Sequence, residues 1–187
     1  MVGRWRFIRH GQSCANAEGW LAGHGDCGLT DLGRAQALEA AGRLEGPDRV
    51  FCSDLQRARE TVALLGHAEV TFTPRLRERS LGKWEGHVKE QLRADGRWGT
   101  LLSWHQGPPD GECQLAVARR MIAYLAEIDG PGITWVVSHA TAIRCAVGLL
   151  DGVAVGEIGE WVVGNAQILA RDIPVGTWGA LQGHLNR

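Results

Sequence analysis

Apolar and polar positions along the chain switch between the period of a strand and the period of a helix. The run 5–8 is short and apolar and predicts an opening strand. A turn-rich stretch follows to Gly28, after which Thr30 is the expected N-cap of a helix. Ala35, Leu38, Ala41 and Leu44 recur at helical spacing there, and Gly46-Pro47 ends it. Residues 49–53 predict a second strand, 54–65 a helix and 70–72 a third strand. The middle, 74–110, is irregular and interrupted by glycine and proline. A long helix is expected over 112–128, with Leu115, Ala118, Met121, Ile122, Leu125 and Ile128 on its buried face. The run 133–138 reads as a strand buried on both faces, followed by a helix over 141–150 and strands at 161–163 and 168–170.

Strand and helix therefore alternate through most of the chain. That order predicts an α/β fold with a mainly parallel sheet and right-handed crossovers. Such sheets bind ligands outside the carboxyl ends of their strands. Arg9-His10-Gly11 and then Asn16 follow the first predicted strand, Arg57 the second, Glu78 the third and His139 the run at 133–138. The set suits a phosphate monoester. Arg9 and Arg57 can offer paired N–H donors to phosphate oxygens, and Asn16 and His139 can add more. A neutral His10 can attack phosphorus, while Glu78 can protonate the leaving oxygen and then deprotonate water. The arginines supply the positive charge, so no metal and no cofactor is expected.

Composition narrows the setting. The chain has 187 residues, of which 44% are hydrophobic and 22% charged, consistent with one globular domain spanning 1–187. A formal net charge of −1 argues against nucleic acid as a partner. No apolar run is long enough to span a membrane, and no secretory h-region follows the early arginines, so a cytoplasmic protein is expected. Five cysteines without C-x-x-C spacing read as reduced thiols, not zinc ligands. Only Lys83 and Lys89 among the 20 basic side chains are lysine, a bias read as compositional. Trp20, His24, Trp98 and Trp104 fall in the irregular stretches that would overhang the strand ends. They could contact an organic leaving group, with packing of the inserted helices onto the body as the alternative for Trp98 and Trp104.

Arg9-His10-Gly11-Gln12-Ser13 with Asn16 resembles the signature of the histidine phosphatase superfamily, which includes the cofactor-dependent phosphoglycerate mutases. Leu29-Thr30-Asp31-Leu32-Gly33 with Gln36-Ala37, the stretch from Ser53 to Thr61, Leu76-Arg77-Glu78 and Val136-Val137-Ser138-His139 continue that resemblance in order. It implies a three-layer αβα sandwich of the phosphoglycerate mutase-like type, with a cap-like insertion at about 84–112. It implies that His10 is the phosphorylated nucleophile, that Glu78 is the proton donor, and that Arg9, Asn16, Arg57 and His139 bind phosphate. The implied activity is metal-independent hydrolysis of small phosphate esters. A mutase keeping a second anion needs more basic groups than the insertion offers in Lys89, Arg93 and Arg97, so hydrolysis is favoured. A protein phosphatase acting on phosphohistidine or phosphotyrosine is a further alternative and a disfavoured one, because the insertion should hinder a protein substrate. Two positions depart from the family pattern. Ala140 stands where glycine is usual and Cys113 where serine is usual.

Overall fold

Five strands form one sheet in the computed structural model, which describes residues 1–186: β1 (Val2–Arg9), β2 (Arg49–Ser53), β3 (Thr71–Thr73), β4 (Gly132–Ser138) and β5 (Ile168–Pro174). Their order is β3-β2-β4-β1-β5. The first four are parallel, and β5 closes one edge antiparallel to β1. Strand β4 lies between β1 and β2, and all but its first residue are buried, as its unbroken apolar run requires.

Side chains alternate across the sheet and so divide the core into two layers. Trp5, Phe7 and Val136 face α6 (Gln114–Glu127), α7 (Ala140–Leu150) and α9 (Thr177–Leu185), where they meet Met121, Ile143 and Trp178. Ile8, Val50, Cys52 and Val137 face the other way, with Ala40 of α2 (Asp31–Ala41) and Ala58 and Val62 of α3 (Gln56–Leu64). The arrangement is the three-layer αβα sandwich. No helix among the described residues is long and apolar enough to cross a membrane.

Several elements differ from the sequence pattern. Residues 161–163 are not a strand. The Val163 carbonyl instead accepts the Arg9 guanidinium at 2.6 Å. Helix α9 is not signalled by periodicity, because Gly179 and Gly183 weaken its propensity. Its Trp178 nevertheless packs edge-on to Trp5 and Phe7, with ring centroids at 5.7 and 5.9 Å. The turn-rich stretch also holds α1 (Cys14–Glu18), which starts in a capping box between Ser13 and Asn16.

Between β3 and α6 lie two short 3₁₀ turns, α4 (Lys89–Ala94) and α5 (Trp98–Leu102). Leu81, Trp84, Leu92 and Leu101 form a small separate core there. Arg79 ties this stretch to the body. Its buried guanidinium donates to the carbonyls of Leu101, Gln106 and Glu112.

Candidate active site

The carboxyl ends of the four parallel strands open on a cavity of about 310 Å³. Arg9, His10, Asn16, Arg57 and Glu78 line it together. His139 lies behind His10, with ring centroids 5.0 Å apart.

The backbone explains why the loop after β1 can do this. A Cβ on Gly11 would come within 2.2 Å of the Gly33 carbonyl, and one on Gly33 within 2.0 Å of the Gln12 carbonyl. Only glycine at both positions lets this loop rest on the start of α2. The Gly11 N–H donates to Thr61 Oγ1 at 3.1 Å and the Gln12 N–H to Gln36 Oε1 at 2.9 Å. The motifs on α2 and α3 therefore hold the loop that carries His10.

A carbonyl can only accept, so the 2.6 Å contact from His10 Nδ1 to the Gly11 carbonyl places the ring proton on Nδ1. Nε2 keeps its lone pair. His139 is set in the opposite sense. Its Nε2 lies 2.8 Å from Ser53 Oγ, which already accepts the Leu55 N–H at 3.3 Å. Among the described residues the Ser53 proton has only His139 as acceptor, so Nε2 accepts and Nδ1 carries hydrogen. That Nδ1 is buried with no partner among the described residues. A phosphate oxygen would satisfy it.

Burial, reinforced by Arg9 and Arg57, holds His10 well below the ordinary imidazole range. Burial and then Arg57, His10 and Arg9 do the same to His139. Both rings thus stay neutral in the folded protein. The unfolded chain takes up these two protons near pH ~6.5 and the folded chain refuses them. Stability therefore falls as pH falls below that value, by about 2.7 kcal/mol per pH unit for the pair and half that for one ring. Denaturant unfolding between pH 7 and 5 should show His139→Gln with the shallower loss. Equal slopes for variant and wild type would mean His139 is not held neutral.

The arginines are also positioned by backbone. Arg57 donates to the carbonyls of Gly23 and Gly25 at 2.8 and 2.9 Å and is only 2% exposed. Arg9 Nε is buried with no acceptor among the described residues. Glu78 Oε1 accepts the Arg79 N–H at 2.8 Å and Oε2 the Thr141 N–H at 3.2 Å. Asn16 Oδ1 accepts from Ser13 Oγ at 3.1 Å and from Asn165 Nδ2 at 3.0 Å, which turns its own amide N–H groups away from these partners. Burial and a hydrogen bond that the Cys14 thiol donates to Cys27 raise the Cys14 thiol, so it stays protonated.

Trp20 and Trp98 line the cavity, but His24 and Trp104 do not. The His24 Nε2–H donates to the Glu78 carbonyl at 2.7 Å, so His24 braces the acid segment from behind. Trp104 is buried in the main core, where its apolar ring packs as the α5–α6 connection meets the body. Lys89 and Arg93 line the cavity, whereas Arg97 does not. Ala140 lines it too. Cys113 is away from it, at the N-cap of α6, and makes no side-chain capping bond.

Three contributors escaped the sequence reading. Asn165 donates to the His10 carbonyl at 3.3 Å as well as to Asn16. Ser53 belongs to a recognised motif, but its bond to His139 spans 86 positions. Arg144 lines the cavity from the helix after His139, one turn beyond Ala140, and that i+4 spacing was its only signal.

The chain as a whole is similar to known proteins. A family model described as the histidine phosphatase superfamily (branch 1) matches residues 6–182. A glucosyl-3-phosphoglycerate phosphatase of Mycobacterium tuberculosis is 36% identical over 137 residues, which is 68% of this chain but only 61% of that protein. A 2,3-bisphosphoglycerate-dependent phosphoglycerate mutase of Bartonella henselae is 30% identical, covering 90% of this chain and 88% of the mutase. The structure of a mycobacterial glucosyl-3-phosphoglycerate phosphatase in complex with VO3 superposes with a TM-score of 0.81 at 30% identity, covering 92% of this chain and 98% of that one.

Proposed function

Because the chain belongs to the histidine phosphatase superfamily, we propose that it is a phosphatase that hydrolyses small phosphate monoesters through a phosphohistidine, without metal. One observation carries the reading. The His10 Nδ1–H is tied to the Gly11 carbonyl, which leaves the Nε2 lone pair in a cavity lined by Arg9, Arg57 and Glu78.

In the first step His10 Nε2 attacks phosphorus and the bond to the ester oxygen breaks. Glu78 in its acid form gives that oxygen its proton, and an alcohol leaves. Water then attacks the phosphohistidine and loses its proton to Glu78, and the phosphorus–nitrogen bond breaks. Arg9 and Arg57 hold the equatorial oxygens throughout, and the Nδ1–H of His139 gives them a further donor. Trp20 and Trp98 flank the room left for the alcohol.

A mutase-type transfer is the second reading, supported by Lys89 and Arg93 in the cavity and by the Bartonella relative. A panel of soluble phosphate esters separates the two, with release of inorganic phosphate expected over isomerised ester. Nitrophenyl phosphate turnover should persist in excess chelator, because guanidinium groups carry the charge that a metal would otherwise supply. Loss of turnover that Zn²⁺ or Mg²⁺ restores would refute the metal-independent mechanism.

A further inference from the structure

Most of the cavity's cations are already engaged by the protein. Arg79 donates to three carbonyls, Arg57 to two and Arg9 to one. Arg93 pairs with Glu90 and lies over the Trp98 ring, 4.0 Å from its centroid. Lys89 and Arg144 are different. Neither has an ion pair or an acceptor among the described residues, and the Nε of Arg144 is in addition fully buried. A buried guanidinium N–H without a partner is costly, and it persists where a ligand supplies the acceptor.

Its place on α7 indicates which part of a ligand that is. Ala140, Thr141 and Arg144 share the cavity face of the helix. The Thr141 N–H holds Glu78, the group assigned to the leaving oxygen. Arg144 lies about one helical turn further along, roughly 5 Å, beyond the amide that holds the proposed leaving-group acid. A phosphate dianion held by Arg9 and Arg57 leaves this third guanidinium uncompensated. A planar carboxylate on the leaving group fits its fork of N–H donors.

We propose that Arg144 binds a carboxylate on the leaving group and so selects phosphate esters of hydroxy acids over esters of neutral alcohols. The inference rests on the phosphatase reading for its orientation, and the test separates the two. The wild type should turn over 3-phosphoglycerate with at least about tenfold higher kcat/KM than glycerol 3-phosphate, since charge-assisted pairs are the strong ones. Arg144→Met should abolish that preference chiefly through KM, and Arg144→Lys should restore part of it. No preference in the wild type, or an equal loss on both esters in Arg144→Met, would overturn the proposal. Calorimetric binding of phosphoglycolate and methyl phosphate to the His10→Ala protein reads the same subsite without turnover. Tighter binding of the acid that Arg144→Met removes supports the proposal, and equal affinities overturn it. Absent turnover with that binding difference intact would sink only the phosphatase reading.

Discussion

Replacing His10 by alanine should lower phosphatase turnover by on the order of 10⁴-fold or more and abolish transfer of labelled phosphate to the protein. The size of the effect follows from what is removed. In the proposed mechanism one difficult displacement by water becomes two displacements through a covalent phosphoramidate. Without the imidazole, water must attack the ester directly in a cavity that is built to place a ring nitrogen there. The remaining guanidinium groups still bind phosphate, so affinity for inorganic phosphate should survive far better than turnover. His10 is nearly buried, and its carbonyl accepts from Ala166 N and Asn165 Nδ2. His10→Asn is therefore the companion variant, because its amide can still donate to the Gly11 carbonyl while offering no nucleophile. Label trapped from a ³²P ester on rapid quench should be acid-labile and stable in base, as a phosphorus–nitrogen bond is. Label found on Cys14 would overturn the assignment. The raised Cys14 thiol argues against that outcome, since the thiolate is the nucleophilic form.

The sheet was legible because its signal is local. A buried parallel strand needs an unbroken apolar run, and 133–138 supplies one between glycine and histidine. The helix starting after Thr30 carries its cap and its period in consecutive residues. The charged groups at the strand ends were also legible, because a strand end is a position that the pattern itself marks, whereas Arg144, one turn into α7, was not. Contacts between loops leave no such mark. Asn165 reaches His10 across 155 positions, and nothing near Asn165 announces it. Trp104 and Trp98 sit in one irregular stretch with the same composition, yet one is in the core and the other lines the cavity. Only the path of the backbone through α4 and α5 separates them. Arg79 makes the same point. It alternates with Arg75 and Arg77, which are only half-buried, yet its own guanidinium is buried and three carbonyls converge on it.

Glu78→Gln should separate the two halves of the reaction. The amide matches the carboxyl in shape and can still accept one of the two backbone N–H groups, from Arg79 or Thr141, so the fold is largely kept. What it lacks is a transferable proton. An alkyl alkoxide is a poor leaving group without one, and loss of a general acid costs about 100- to 10,000-fold. Nitrophenolate needs little protonation, so its release in the first turnover should slow by less than about tenfold. In the proposed mechanism the second half also uses Glu78, as the base that activates water. The variant should then release one equivalent of nitrophenolate in a burst and stall as phosphoenzyme, with more trapped label than the wild type. Rapid mixing with nitrophenyl phosphate and with glycerol phosphate reads both effects in one experiment. Equal losses on the two esters with no burst would make Glu78 a structural acceptor for the Arg79 and Thr141 amides, and the proton would then have to come from elsewhere in the cavity. The cavity's other ionisable groups are Arg9, Arg57, Arg79, Lys89, Arg93, Arg144 and a neutral His10. The guanidinium groups hold their protons too tightly to serve, and in the proposed mechanism His10 is consumed as nucleophile, which leaves Lys89 as the donor among the described residues that line the cavity. A burst in Lys89→Met matching that expected of Glu78→Gln would therefore move the acid role from one residue to the other.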